Sequence, residues 1–75
     1  MITENYSQEA IEVVEDIIEM FDVVSLVKYA MNYVGVHHWE VMDYVLDNIE
    51  DSTEFTQEEW QYLAERVRWM MDRFM

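Results

Sequence analysis

The last third of the chain contains the clearest local signal, a helix whose start is marked residue by residue. Thr56 is followed three residues later by Glu59, the spacing of a capping box in which each side chain binds the other residue's backbone N–H. Phe55 and Trp60 are spaced to form a hydrophobic staple around this cap. The apolar residues that follow recur at helical spacing. They are Trp60, Leu63, Ala64, Val67, Met70, Met71 and Phe74. This apolar stripe has to be covered, so we expect the rest of the chain to pack against it.

Three further helices are predicted before this one. The chain has no proline and one glycine, which favours long helices over sheets and tight turns. Ser7 and Asp22 are good N-cap residues for the first and second helices, and Gly35 is placed to end the second in a left-handed conformation. The third helix is expected to start near His37 or His38. The predicted bounds are 7–21, 22–34 and 37–49.

The apolar positions indicate how these helices should pack. Helix two is apolar almost all round, with Ser25, Lys28 and Asn32 on one narrow strip, a pattern typical of a helix buried on most sides. Helix three is expected to face inward with Trp39, Met42, Val45, Leu46 and Ile49, with Val41 and Tyr44 at its flanks. We therefore predict an all-α fold, a small bundle of four short helices over residues 1–75, with helices two and four central. Because the loops are short, consecutive helices should be roughly antiparallel.

The charge balance limits the classes of partner. Seventeen Asp and Glu residues against four Lys and Arg give a formal net charge of −13. Such a surface repels nucleic acid and anionic lipid and attracts basic protein surfaces. We therefore expect no direct nucleic-acid binding, and no apolar run approaches the length of a membrane span. The chain has no cysteine, which fits a cytoplasmic protein, and its first seven residues lack the pattern of a signal peptide.

Many of the carboxylates are arranged in two rows. The first acidic stripe lies on helix one and the second on helix three, each at spacings of three, four and three residues with no Lys or Arg between them. The first stripe comprises Glu9, Glu12, Asp16 and Glu19, and the second Glu40, Asp43, Asp47 and Glu50. Like charges one turn apart destabilise a helix by about 0.2–0.5 kcal/mol per pair. If both stripes lie on one side, they form a row of negative charge that could occupy a groove built for DNA phosphates. The alternative is a solvated acidic surface that serves only solubility.

In its composition and these two stripes, the chain resembles the small acidic, cysteine-free inhibitors that phages and mobile elements encode against host nucleases. These include anti-CRISPR and anti-restriction proteins that mimic DNA. The resemblance covers the whole chain, has no diagnostic motif, and implies no particular fold. It implies that the stripes would contact Arg and Lys of a nucleic-acid channel, and that a phage-encoded protein would act in the host cytoplasm.

A second candidate surface lies on helix four, opposite its apolar stripe. This helix-four face comprises Tyr62, Arg66, Trp69 and Arg73. Trp, Tyr and Arg are enriched at interface hot spots, and 52% of the chain is hydrophobic, more than one small core easily hides. The alternative function is therefore a helical adaptor or homodimerisation module that works through this face. Aromatic rings lying under arginine stems would explain the same residues without a partner.

Catalytic and cofactor chemistry finds little support in the sequence. There is no cysteine nucleophile, no Ser or Thr lies in a motif with His and Asp, and one glycine cannot build a phosphate-binding loop. His37 and His38 are the only histidines, whereas a zinc site needs at least three well-placed ligands. We therefore expect a non-enzymatic binding protein without metal or cofactor.

Overall fold

The structure is a computed structural model that describes residues 6–49 and 54–75. Within these ranges the chain forms four α-helices and no strand. The helices are α1 (Gln8–Met20), α2 (Val23–Tyr33), α3 (His38–Asp47) and α4 (Gln57–Phe74). The predicted all-α bundle of four short helices is confirmed. None of the helices in the described part of the chain is long and apolar enough to cross a bilayer.

The predicted caps of α1 and α4 are confirmed. The Ser7 hydroxyl accepts a hydrogen bond of 3.2 Å from the Ala10 N–H. At the start of α4, the Glu59 N–H donates to the Thr56 hydroxyl at 3.1 Å, and the Thr56 N–H donates to the Glu59 carboxylate at 2.9 Å. Both halves of the capping box are therefore present, and two backbone donors that the helix itself leaves unpaired are satisfied.

The two ends of α2 differ from their predictions. Asp22 occupies the N-cap position in a left-handed conformation, with φ of 49°, and its side chain caps no backbone N–H. It accepts a 2.7 Å hydrogen bond from the Ser25 hydroxyl instead. The junction between α1 and α2 is only two residues long, and the left-handed residue turns the chain within it. At the other end, Gly35 has no positive φ, so the predicted left-handed termination is wrong.

Gly35 is close to the Glu40 side chain, and no turn depends on it. A Cβ atom at this position would overlap the carboxylate of Glu40. That carboxylate accepts a 3.2 Å hydrogen bond from the His37 N–H at the start of α3. The missing side chain of the glycine therefore leaves room for a capping interaction of the next helix.

The packing confirms that α2 and α4 are the central helices. Each of them packs against the other three helices, whereas α1 and α3 share no comparable interface. The helices α1 and α3 therefore lie on opposite sides of the α2–α4 pair. Two contacts set the direction of α1 along α4: Ser7 hydrogen-bonds Glu58, and Glu15 bonds Tyr62. Both helices thus begin at the same end of the bundle and run in the same general direction. Alternating directions would make the first and fourth helices antiparallel, so the predicted antiparallel arrangement of consecutive helices does not hold throughout the bundle.

The core forms where the four helices meet. Fewer helix faces are buried in it than the sequence predicts. Its buried members are Val14, Ile18, Val23, Val27, Ala30, Val41, Met42, Val45, Ile49, Tyr62, Leu63, Val67, Met70 and Met71. Helix α2 buries one face, and its Tyr33 is 75% exposed, so the prediction of a helix buried on most sides is wrong. Trp39 was expected in the core but is 66% exposed, and Val41 is buried in α3 instead.

The apolar stripe of α4 is covered in its middle and open at its ends. Leu63 and Val67 are fully buried, whereas Trp60 and Phe74 are exposed. These two residues lie in the first and last turns of α4, where the shorter neighbouring helices leave their rings in solvent. Lys28 of α2 covers part of the Phe74 ring, with its ammonium 4.9 Å from the ring centroid.

Candidate binding surfaces

The first acidic stripe is a straight, open row on α1. All four of its side chains, Glu9, Glu12, Asp16 and Glu19, are exposed. None of them forms a side-chain hydrogen bond or an ion pair with another described residue. The row runs from the first turn of α1 to its last, and at 1.5 Å per residue it spans about 15 Å. It therefore presents four solvated carboxylates with no described Lys or Arg paired to them.

The second acidic stripe is less complete. Asp43 and Asp47 are exposed on α3. Glu40 is half-buried and is engaged by the His37 N–H, so it has a structural role at the helix start. Glu50 lies outside the described residues. Among the described residues, Asp43 and Asp47 are therefore the exposed carboxylates of this stripe.

The two stripes lie on separate surfaces. On α1 the buried residues Ala10, Val14 and Ile18 are on the side opposite the first stripe, and on α3 the buried residues Val41 and Val45 are likewise opposite the second. Each stripe thus faces away from the core. Because α1 and α3 lie on opposite sides of the α2–α4 pair, the first stripe and the described residues of the second point in different directions and do not form one continuous row.

The helix-four face is interrupted by α1. Tyr62 is 2% exposed, so its predicted place on a free surface is wrong. Its hydroxyl donates a 2.7 Å hydrogen bond to the Glu15 carboxylate, and Arg66 forms an ion pair with the same carboxylate. Helix α1 covers the N-terminal half of α4 at this point. Tyr62 and Arg66 therefore join two helices of the bundle.

Desolvation affects both partners of Glu15 in this network. Burial raises the pKa of the Tyr62 phenol, with a smaller contribution from Tyr6, whose ring centroid lies 5.1 Å from that of Tyr62. Burial also lowers the pKa of the Arg66 guanidinium. The Arg66 Nε atom is buried and has no hydrogen-bond partner among the described residues. Such a network ties α1 to α4 and is not a free docking surface.

The C-terminal half of the helix-four face remains open. Trp69 is 52% exposed, Arg73 is exposed, and together with Asp72 they line a shallow depression. Arg73 forms no ion pair with any described residue. Of the four residues predicted for this face, Trp69 and Arg73 are therefore the two available to a partner.

A cluster of three tyrosines between α2 and α3 was not predicted. Tyr29 and Tyr33 are exposed, and Tyr44 is half-buried. The ring centroids of Tyr29 and Tyr33 are 4.7 Å apart, and those of Tyr29 and Tyr44 are 5.4 Å apart. The i, i+4 spacing of Tyr29 and Tyr33 is visible in the sequence, but their exposure is not, because the apolar pattern of α2 suggested burial.

The histidines have contacts that suit a structural role. The His38 ring lies with Nε2 3.0 Å from the Ala64 carbonyl oxygen, which links α3 to α4, and the His37 ring stacks at 6.4 Å on that of Trp39. In residues 6–49 and 54–75, no three His, Asp or Glu side chains are placed to hold a metal ion together.

No family model, curated protein or solved structure matches this chain.

Proposed function

We propose that this chain is a non-enzymatic acidic binding protein that occupies the basic groove of a nucleic-acid-binding protein or nuclease. The first acidic stripe, on α1, is the contact surface. The observation that supports this most directly is the row of four exposed carboxylates, which have no partner among the described residues and no basic residue before Lys28 in the sequence. A groove lined with Lys and Arg would supply the missing cations.

The charge density of the first stripe is close to that of one DNA strand. Four carboxylates lie along about 15 Å of helix axis, whereas one strand of B-DNA carries a phosphate about every 3.4 Å, or about five over the same distance. A basic groove that matches a strand would therefore meet a similar number of negative charges on α1. This similarity favours mimicry of a DNA strand over a general attraction between opposite charges.

Repulsion within the stripe also destabilises the free protein, and a cationic partner would relieve that repulsion. Carboxylates one turn apart repel each other by about 0.2–0.5 kcal/mol per pair, and no described Lys or Arg of the chain relieves the stripe. Glu15, which lies beside it, is already paired with Arg66. Cations from a partner would remove this repulsion and would be attracted over long range at low salt.

The test is capture of partners by immobilised protein from a bacterial lysate at low salt, followed by a challenge with a short DNA duplex. We expect captured proteins to be nucleic-acid-binding, to be released by the duplex, and to be lost steeply as salt rises from about 50 to 200 mM, the range over which phosphate contacts weaken. Capture that is insensitive to both the duplex and salt would contradict DNA mimicry.

Matched charge reversals assign the surface. Glu12→Lys with Glu19→Lys changes the first stripe, and Asp43→Lys with Asp47→Lys changes the second. Both double variants alter the net charge equally and replace exposed side chains. We expect the first to abolish DNA-competed capture and the second to retain most of it. Equal losses would mean that net charge, rather than the α1 row, determines binding.

A further inference from the structure

The outer face of the C-terminal half of α4 differs in charge from the rest of the protein. Three of the four Lys and Arg residues of the chain, Arg66, Arg68 and Arg73, lie in this helix. Although acidic residues outnumber basic ones seventeen to four, neither Arg68 nor Arg73 forms an ion pair within the described residues. Both guanidinium groups are exposed, and neither has an acidic partner in the part of the chain that the structure describes.

Two exposed residues of this face, Trp69 and Arg73, continue toward the middle of α4 in the half-buried Glu65, and the three form a pattern that is complementary to itself. Glu65, Trp69 and Arg73 follow each other at spacings of four, which places them on one ridge of the helix, about 6 Å apart along its axis. We name Glu65, Trp69 and Arg73 the α4 patch. If a second α4 runs antiparallel across a two-fold axis at Trp69, Glu65 of each copy lies opposite Arg73 of the other. A two-fold contact thus forms the same ion pair twice.

We propose that a second copy of this chain docks on the α4 patch, in an antiparallel α4–α4 contact centred on Trp69. The indole is the apolar anchor, since Trp is among the residues most often found at the centre of interfaces. The two Glu65–Arg73 pairs at its sides set the register. This inference does not rest on the binding of a basic groove by α1.

Trp69 is favoured over the more exposed Trp39 because of the charges around each ring. Trp39 is 66% exposed and Trp69 is 52% exposed. However, α3 contains Glu40, Asp43 and Asp47 and no Lys or Arg. A two-fold contact through Trp39 would bring carboxylates of two copies together, whereas one through Trp69 brings carboxylates to guanidinium groups.

The dimer should be weak and should strengthen with salt. The stretch from Glu65 to Arg73 covers only about 12 Å of helix axis, so the contact is smaller than a standard interface, which buries about 800 Å² per partner. Each protomer also has a net charge of −13, and the repulsion between two such protomers is screened as salt rises. This is the opposite of the salt dependence expected for binding a basic groove.

The test is sedimentation equilibrium of the full chain from micromolar to millimolar concentration, at low and high salt. We expect a monomer–dimer equilibrium that shifts toward dimer at high salt. Trp69→Ala should raise the dissociation constant by at least about tenfold, the scale of an interface hot spot, whereas Trp39→Ala should leave it within about twofold of the wild-type value. A wild-type chain that stays monomeric throughout would overturn the proposal, and so would equal effects of the two substitutions.

A charge exchange tests the register. Glu65→Arg and Arg73→Glu each place like charges opposite one another twice, so each should weaken the dimer by about tenfold or more. The chain that combines both substitutions re-forms two opposite-charge pairs and should dimerise within about threefold of the wild type. Circular dichroism identifies any variant that fails to fold, and a folded double variant that stays monomeric would overturn the antiparallel pairing.

Discussion

Tyr62 in α4 and Glu15 in α1 are joined by a 2.7 Å hydrogen bond, although they lie 47 positions apart in the chain. The donor is a phenol on a residue that is 2% exposed, and the acceptor is a carboxylate that also pairs with Arg66. This contact joins α1 to α4 and fixes the position of one helix along the axis of the other. It also explains why part of the helix-four face is unavailable to a partner.

Replacing Tyr62 with Phe should destabilise the protein by about 1.5–3 kcal/mol, because a hydrogen bond to a charged group is lost and the carboxylate keeps one partner fewer. The free energy of unfolding from urea denaturation measures this. Tyr33→Phe is the matched control, since Tyr33 is 75% exposed and its hydroxyl forms no hydrogen bond with a described residue. It should change stability by less than about 0.5 kcal/mol. Equal effects would show that the Tyr62–Glu15 bond contributes nothing in solution.

The same region should make the protein sensitive to alkaline pH. Burial raises the pKa of Tyr62 and of Tyr6 above the ordinary value of 10.0, with the negative charges of Glu65 and Glu58 adding to the shift of Tyr6. The folded state then holds these phenol protons at a pH where the unfolded state has released them. The stabilisation is present in full below pH 10 and is lost as the pH rises through the raised values.

Thermal melting from neutral to alkaline pH should therefore show a melting temperature that falls once the pH exceeds about 10, where the unfolded phenols ionise. A chain with both Tyr6→Phe and Tyr62→Phe should have a lower melting temperature at neutral pH, but that temperature should fall less as the pH is raised. Tyr33→Phe, which removes one hydroxyl from a side chain that is 75% exposed, is the control for the substitution itself. An unchanged slope in the double variant would mean that these two phenols are not linked to folding.

The sequence predicted the features that depend on local spacing. The four helices were recognisable from the spacing of apolar residues along each segment. The cap at Ser7 and the capping box at Thr56 and Glu59 were recognisable because each involves residues within one helical turn. The centrality of α2 and α4 followed from their apolar patterns. The two acidic stripes were also visible as patterns, and the exposure of the first stripe agrees with its lack of basic neighbours.

What could not be predicted depends on which helix covers which face. Tyr62 belongs by spacing to an outer face, yet α1 covers it and supplies Glu15 as its acceptor. Trp39 and Val41 were assigned the wrong way round because an apolar residue at a helix edge can face either way until its neighbours are placed. The separation of the two acidic stripes likewise follows from the position of α1 and α3 on opposite sides of the bundle.

Thr56→Ala should destabilise the protein by about 1 kcal/mol, since the first turn of α4 loses the acceptor of the Glu59 N–H. Thr56→Ser keeps a hydroxyl at the same position and should retain most of the stability. Urea denaturation of both variants gives the comparison. If Ser is as harmful as Ala, the threonine contributes through its methyl group and not through the cap.

Gly35 and Glu40 should be energetically coupled, because a Cβ at position 35 would occupy the place of the Glu40 carboxylate. In the wild-type background, Gly35→Ala displaces that carboxylate from the His37 N–H and loses a capping bond of about 1 kcal/mol. Alanine also restricts the unfolded chain, which stabilises the folded protein by about 0.4–1 kcal/mol. The net change in the free energy of unfolding should therefore be small or mildly destabilising.

In a Glu40→Ala background the carboxylate is already absent, so Gly35→Ala breaks no capping bond. Only the restriction of the unfolded chain remains, and the substitution should stabilise the protein. Urea denaturation of the wild type, the two single variants and the double variant closes the cycle, with an expected interaction energy of about 1 kcal/mol. Glu40→Gln, which keeps an acceptor of similar size, should leave Gly35→Ala as unfavourable as it is in the wild type. If Gly35→Ala has the same effect in every background, the glycine is not there to make room for Glu40.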